Sequence, residues 1–507
     1  MLSCAWSAAV VGVEAQLVRV EADTASGFPR FLLLGMPDSS ARESEGRLRA
    51  ALRNCGFGFK WDRRLTVNLS PASLPKLGAG FDLAIAAALL AADAEFPAAP
   101  LSSVLLAGEL ALDGSLRPVR GLVPMLLAAA AAGLKDAVVP LENGPEASLV
   151  RGLAVHAAAN LPEALAIAGR PDRPAPKTIG ALEATASEPG PDLADVRGQA
   201  LARRALEIAA AGGHNLLLAG PPGSGKTMLA RRLPGLLPLP AADELLETAA
   251  IHSAAGLPVA PLLRARPFRA PHHTASDAAL VGGGSVPRPG EVSLAHHGVL
   301  FLDELPEFRR NVLEALRQPV EERHITVARG RGVLHMPARF QLVAAMNPCP
   351  CGYLGDTRRA CRCTPGQVRA YRGRVSGPLL DRLDLCVEVP ALPFAELGGA
   401  PGEDSATVAA RVEAAWAMQR ARQGALNADL SPRALRRYAL PGAAGRGLLA
   451  AAVDRLGVTG RGHDRLLRVA RTLADLEGRP AVEATHVAEA LQFRNRPGEP
   501  QEVTAYP

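Results

Sequence analysis

The chain has 507 residues, of which 48% are hydrophobic, 4% aromatic and 21% charged, and its formal net charge is +6. That length exceeds one ordinary hydrophobic core, so about three domains are expected. The mild basic excess is compatible with a nucleic-acid partner and equally with a solvated surface.

No apolar run is long enough to span a bilayer. The start lacks a basic n-region, so no signal peptide and no membrane association are predicted. Seven cysteines without an export signal point to a reducing, cytoplasmic setting. Residues 1–170 read as a first α/β unit with mixed strand pairing. Val11–Glu21, Leu65–Leu69, Val104–Ala107 and Ala137–Pro140 are strand candidates, and Leu112–Leu116 a hairpin turn. Ser39–Cys55 and the Ala-rich stretch after Phe81 have helical patterns. Residues 171–192, rich in Pro, Ala and Ser, read as a linker.

The segments Pro75–Asp82, Arg120–Val123 and Ala132–Asn143 resemble the Lon-protease-type domain, which has a ribosomal-S5-like fold. Where active members carry a nucleophilic serine this chain has Gly80, and where they carry the partner lysine it has Val123. A Ser–Lys mechanism needs hydroxyl and amine together. Ser73 and Lys76 are near in sequence but do not fill those positions. The resemblance therefore implies a non-proteolytic relative used for assembly or partner binding.

Residues 193–393 read as a nucleotide-binding core. Gly220, Pro221, Pro222, Gly223, Ser224, Gly225, Lys226 and Thr227 fit G-x-x-x-x-G-K-[ST], between a buried strand (His214–Ala219) and a helix (Met228–Leu233). Glycines let backbone N–H groups cradle phosphate; Lys226 would reach the β- and γ-phosphates and Thr227 would hold Mg²⁺. Asp243–Ser253 is a further helix candidate. Arg264–His273 is basic and loop-like, and His272–His273 reads as a metal pair or as phosphate contacts. In Val299–Leu302 a buried strand ends at two acids: Asp303 for the Mg²⁺ shell and Glu304 to polarise the attacking water.

His324–Phe340 reads as a hairpin with a basic tip. Arg329 and Arg331 would contact nucleic-acid phosphate, or form a solvated turn. Gln341–Met346 is a buried strand ending at Asn347, a candidate to orient water or sense the γ-phosphate. Cys349, Cys351, Cys361 and Cys363 form two C-x-C pairs that could hold one structural Zn²⁺; unligated or redox thiols are the alternative. Arg358 and Arg359, between the pairs, are further candidates for DNA contact. Arg382 precedes the strand Leu385–Val389 and could instead pair locally with Asp381 or Asp384. Residues 394–507 read as helical, with helices near 405–423, 432–440, 443–456, 462–477 and 484–493.

P-loop, Asp-Glu strand, Asn347, Arg382 and a helical lid occur in the order that resembles AAA+ ATPases. Arg266–His273, Pro289–His296, Met346–Gly352 and Val469–Leu476 carry a closer resemblance to the ComM/YifB family of magnesium-chelatase-like proteins, over nearly the whole chain. That resemblance implies an α/β multidomain protein: a Lon-protease-like α/β N-domain, an AAA+ P-loop core and a C-terminal helical lid. It implies ATP and Mg²⁺ as cofactors and a hexameric ring with sites between subunits. Arg382 would serve as an arginine finger and Arg461 as the nucleotide-sensing lid arginine, with Arg465 or Arg468 in reserve. The implied activity is ATP-driven branch migration of DNA during natural transformation. A chelatase-type motor and a protein-remodelling ATPase are the competing readings.

Overall fold

The computed structural model describes residues 2–173, 190–283, 287–329, 332–356, 358–456 and 458–494. The chain divides into two compact units. The first comprises residues 1–185 together with 241–264 and 283–289, and the second comprises the remainder. Most of the expected linker, residues 174–189, lies outside the described residues. Among the described residues no helix is long and apolar enough to cross a membrane.

In the first unit the strands are β1 (Leu2–Val11), β2 (Glu14–Ala25), β3 (Arg30–Leu34), β4 (Arg64–Ser70), β5 (Val104–Leu106), β6 (Glu109–Leu110), β7 (Leu116–Arg117), β8 (Asp136–Pro140) and β9 (Ala154–Ala158). Seven of them form one sheet in the order β3-β4-β2-β1-β5-β8-β9, and β6 and β7 pair separately as a hairpin. The sheet is mixed. β2 runs antiparallel to β1 and β4, whereas β5, β8 and β9 are parallel to their neighbours.

The expected strand at Val11–Glu21 straddles a turn at Gly12, which has φ +68. The chain reverses there, so two long strands replace one. The alanine-rich helix Asp82–Ala92 is buried at every residue, which explains why it shows no polar face. Ser39–Cys55 is broken into Ser39–Arg42 and Ser44–Asn54.

A second departure concerns residues 241–264. The helix Ala242–Ala255 follows the P-loop in sequence but packs within the first unit. Ala250 and Leu246 join the core made by Leu122, Leu126 and Val139. The Ser253 carbonyl accepts from Gly121 N–H at 2.9 Å, and its hydroxyl accepts from Val123 N–H at 3.3 Å.

The second unit holds β10 (Leu216–Ala219), β11 (Phe268–Arg269), β12 (Val299–Leu302), β13 (His324–Arg329), β14 (Gly332–Pro337), β15 (Gln341–Met346) and β16 (Leu385–Glu388). Five form a parallel sheet, β11-β12-β15-β10-β16, while β13 and β14 make the expected antiparallel hairpin. Parallel strands are covered on both faces and so read as unbroken apolar runs. Leu216, Leu218, Phe301, Val343 and Val387 point into one core; Leu217, Leu300, Leu302, Leu342 and Ala344 point into the other.

The first of these cores also contains Val408, Trp416, Leu466, Leu473 and Phe493, so the C-terminal helices share a core with the sheet. The junction lies at the end of the helix Ala200–Gly212. The last carbonyls of a helix have no partner within it. Here Gln341 Nε2 donates to Ala209 O, Trp416 Nε1 to Ala210 O and Gln419 Nε2 to Ala211 O, each at 2.9 Å. Nearby, buried Asp475 is held by Arg422 at 2.6 Å and Arg471 at 2.9 Å.

Trp416→Ala removes a buried indole and leaves the Ala210 carbonyl unpaired. It is expected to destabilise the second unit by about 3–5 kcal/mol. Urea denaturation followed by circular dichroism measures this, and a loss below about 1 kcal/mol would contradict the shared core.

Candidate functional site

The site is assembled by strand register. In the parallel sheet Ala219 lies beside Met346, and Leu302 beside Ala344. The residues that follow, Gly220, Asn347 and Asp303, therefore emerge together at the carboxyl edge, where open parallel sheets place ligands. β10 enters the P-loop, and Lys226–Ala230 leaves it as a short helix capped by Gly225 at φ +96. Gly220 answers a different need: a Cβ there would lie 2.1 Å from the Val389 carbonyl oxygen. Only glycine lets the loop pass this close to the end of β16.

The Lys226 ammonium is 2.7 Å from Gly220 O, 2.8 Å from Pro221 O and 3.2 Å from Asn347 Oδ1, and it donates to all three. Burial lowers its pKa from the usual lysine value, while Asp303 and Glu304 act in the opposite sense. Thr227 Oγ1 donates to Asp303 Oδ2 at 2.6 Å, so the two expected Mg²⁺ ligands already face each other. Asp303 Oδ1 accepts from the Glu304 backbone N–H at 3.0 Å. Glu304 sits at φ +53, a left-handed conformation that costs a non-glycine residue energy. It turns the carboxylate out of the strand line and leaves its side chain half exposed, 3.4 Å from Nδ1 of His273.

That contact was not legible in the sequence. His273 follows β11, and β11 pairs with β12, so adjacent strand ends bring the imidazole to Glu304. The His272 and His273 rings are 4.1 Å apart, but no acid or cysteine group joins them as a metal cluster among the described residues.

The four cysteines converge. Sγ of Cys349 is 3.4 Å from Cys351 and 3.6 Å from Cys361, and Cys351 is 3.6 Å from Cys361. All four sulfurs, Cys363 included, lie within 4.8 Å of one another. These separations exceed a disulfide bond and approach the roughly 3.8 Å between sulfurs around a tetrahedral ion with metal–sulfur bonds of about 2.3 Å. Backbone N–H groups of Arg362 and Tyr353 bring the Cys351 thiol down to about 6.

Arg358 and Arg359 both have partners, one beyond the loop and one within it. Arg358 donates to the Leu392 carbonyl. Arg359 donates to Tyr353 Oη at 2.7 Å and stacks over its ring at 4.5 Å. The side chain of Arg329, and Arg331, lie outside the described residues.

Arg382 lines a cavity of about 600 Å³ with Arg461, Arg465 and Arg468, and none of the P-loop residues lines it. Its partner is Glu321, at 2.5 Å, rather than Asp381 or Asp384. Its Nε is buried without a hydrogen-bond partner. Arg465 instead takes the Leu383 carbonyl and approaches Asp381 at 3.5 Å, and Arg468 donates to Leu430 O. Arg461 thus stands with Arg382, apart from Lys226. Asp429, in the same cavity, is held below the usual carboxylate range: burial pushes it up, but Arg323 and Arg339, each at 2.7 Å, outweigh it.

In the first unit, Gly80 lines a cavity of about 600 Å³ together with Asp38, Glu109, Arg120 and Arg288. Val123 is buried. Lys76, also buried, donates to the Pro71 carbonyl.

Comparison with known proteins gives three family matches along the chain: "Subunit ChlI of Mg-chelatase" over residues 20–143, "Magnesium chelatase, subunit ChlI" over 192–397 and "Magnesium chelatase, subunit ChlI C-terminal" over 402–494. Among curated relatives, the competence protein ComM of Haemophilus influenzae is 44% identical over 499 residues, covering 97% of both chains. YifB of Escherichia coli is 44% identical over 497 residues with the same coverage. An uncharacterised Mycobacterium tuberculosis protein is 48% identical over 507 residues, 97% of this chain and 98% of its own. The Lon protease of Salinispora arenicola is 30% identical over 174 residues, 32% of this chain and 22% of that protein.

Gly220→Ala is expected to abolish binding of a fluorescent ATP analogue, because the added methyl meets backbone rather than a movable side chain. Gly235→Ala, where a Cβ meets nothing within 4 Å, should retain it. Equal binding by both variants would overturn the steric argument for Gly220.

Proposed function

The chain belongs to the ComM/YifB family of magnesium-chelatase-like AAA+ proteins, and from that premise we propose that it is an ATP-driven DNA motor that migrates branched junctions during recombination of incoming DNA. The observation that carries the ATPase reading is the convergence of Lys226, Thr227, Asp303, Glu304 and Asn347 at one sheet edge. Lys226 and the loop N–H groups hold the phosphates. Thr227 and Asp303 would hold Mg²⁺, which would supply charge neutralisation at the phosphates. Glu304 orients and polarises the attacking water, with Asn347 at the γ-phosphate. His273, beside Glu304, restrains that carboxylate until phosphate and water are in place.

Arg382 completes the site from a neighbouring subunit. Its clustering with Arg461, Arg465 and Arg468 and its separation from its own P-loop support that role. Such a finger contributes roughly 10³-fold or more to turnover. A closed ring, hexameric by family resemblance, supplies one finger to every site. The first unit acts without peptidase chemistry, since neither Gly80 nor Val123 offers a nucleophile or an amine. The four cysteines hold one structural Zn²⁺, consistent with their donor chemistry and spacing.

DNA engagement is assigned to the β13–β14 hairpin, with Arg329 and Arg331 at its tip. Arg358 and Arg359 are less suited to DNA because the Leu392 carbonyl and Tyr353 already engage them. The ComM relative's description as a competence protein favours DNA over porphyrin metallation or protein remodelling as the substrate class.

Glu304→Gln should bind ATP with affinity within about threefold of the wild type, while kcat falls by about two orders of magnitude or more. Calorimetry and a phosphate-release assay measure the two quantities. Retained turnover would remove Glu304 from its role.

Three- and four-way DNA junctions should stimulate ATP hydrolysis, with binding that weakens steeply between low and physiological salt. Strand-displacement assays on the assembled protein test the motor directly. An assembly that hydrolyses ATP but neither binds nor moves junctions would exclude DNA as the substrate.

A further inference from the structure

The cysteine loop does more than sit beside the P-loop. Between Met346 and Pro365 the described chain forms no helix or strand, yet this loop forms one wall of a cavity of about 510 Å³. Gly220 and Pro221, the first residues of the P-loop, make a second wall. Val389–Leu392, just beyond β16, make a third, and Leu354–Asp356 of the cysteine loop face them. The cavity is therefore continuous with the phosphate-binding loop and has apolar surfaces, Leu354 and Leu392, of the kind that cover a nucleobase.

Three contacts fix the wall. Gly352, at φ +85, presses on the P-loop so closely that a Cβ would lie 2.5 Å from Pro222 Cδ. Arg358 bridges the loop to the Leu392 carbonyl on the opposite wall. Arg372 donates through Nε at 3.1 Å and Nη2 at 2.9 Å to the carbonyl of Pro348, which also lines the cavity. At the tip, Asp356 accepts from the Arg358 and Arg359 backbone N–H groups at 2.6 and 3.0 Å. A loop without secondary structure keeps such a shape only if something offsets its ordering entropy. Four thiolates around one ion would do that, because binding at a site absent from the unfolded chain also contributes to folding.

We infer that the metal-closed cysteine loop is the wall against which the nucleoside half of the bound nucleotide rests, so that metal occupancy and ATP affinity are thermodynamically linked. This rests on the ATP reading of the P-loop and deepens it. Linkage is reciprocal: metal tightens ATP binding, and ATP tightens retention of the metal by the same factor, on the order of tenfold. Gly352 carries the coupling from the cysteines to the P-loop, and Leu354 carries it to the base.

The test uses the full chain. Metal content is measured as purified; about one zinc per chain is expected. ATP with Mg²⁺ is titrated calorimetrically into the metal-loaded protein and into protein stripped with a chelator and returned to Mg²⁺. Binding should be about tenfold weaker in the stripped protein, with circular dichroism unchanged. Gly352→Ala, which keeps all four cysteines and whose zinc content is measured alongside, should weaken ATP binding by a similar factor and covers the case in which stripping unfolds the loop more widely.

In the reciprocal measurement, ATP should slow transfer of zinc from the protein to a chromogenic chelator. Equal ATP affinity in loaded protein, stripped protein and Gly352→Ala, with no protection of the metal, would overturn the inference and leave the ATP reading standing. A chain that takes up no zinc would also overturn it. Loaded wild-type protein that binds no ATP would instead overturn the ATP reading on which it rests.

Discussion

Everything at the candidate site depends on the parallel register of β10, β12 and β15. Because Ala219 pairs with Met346 and Leu302 with Ala344, the first polar residue after each strand arrives at the same edge. A slip of one residue would send the apolar side chains of a strand to the opposite core. The burial of both faces therefore fixes the catalytic geometry as well as the fold. The short bond from Thr227 to Asp303 and the longer one from Lys226 to Asn347 are consequences of that register. They join loops that are far apart in sequence and close only because the strands beneath them cannot shift.

The C-terminal helices reinforce this from below. Side chains from β15 and from the helix Ser405–Gln423 satisfy three successive carbonyls at the end of the helix preceding β10. The strand that delivers the P-loop is thus anchored at its start by hydrogen bonds and along its length by two cores. Buried Asp475 needs both Arg422 and Arg471, since a carboxylate removed from water is tolerable only when paired and hydrogen-bonded. The C-terminal helices pack as part of the second unit. Much of their apolar surface joins the core on the sheet face, and their arginines gather with Arg382.

Much of this was legible in the sequence because the local signals were strong. Four-residue apolar runs ending in Gly220 or Asp303 are buried parallel strands, and the elements at β12, β13, β14 and β15 fall where the pattern placed them. Positions set by tertiary contact were not legible. β1 runs against the usual polarity pattern: Ser3 and Ser7 face the interior, while Leu2 is exposed and Cys4 and Trp6 are only partly buried, so no polar-out alternation marks the strand. The contact of His273 with Glu304 depends on the neighbouring strands β11 and β12. Arg358 and Arg359 look like free cations in a glycine-rich loop, but their partners, a carbonyl at Leu392 and the ring of Tyr353, are apparent only once the loop is folded. Arg382 pairs with Glu321, 61 positions away, rather than with its neighbours in sequence.

The excursion of residues 241–264 has a consequence for biosynthesis. The helix Ala242–Ala255 supplies Leu246 and Ala250 to the core of the first unit, yet it is made after the linker and the P-loop. A ribosome has therefore translated the start of the ATPase before the N-terminal unit can close its last apolar face. A genetic cut at the linker would leave the first unit without Leu246, Ala250 and the Ser253 hydrogen bonds to Gly121 and Val123. The two units are distinct as compact bodies but interleaved in the order of their synthesis, so the first is completed only after part of the second has been made.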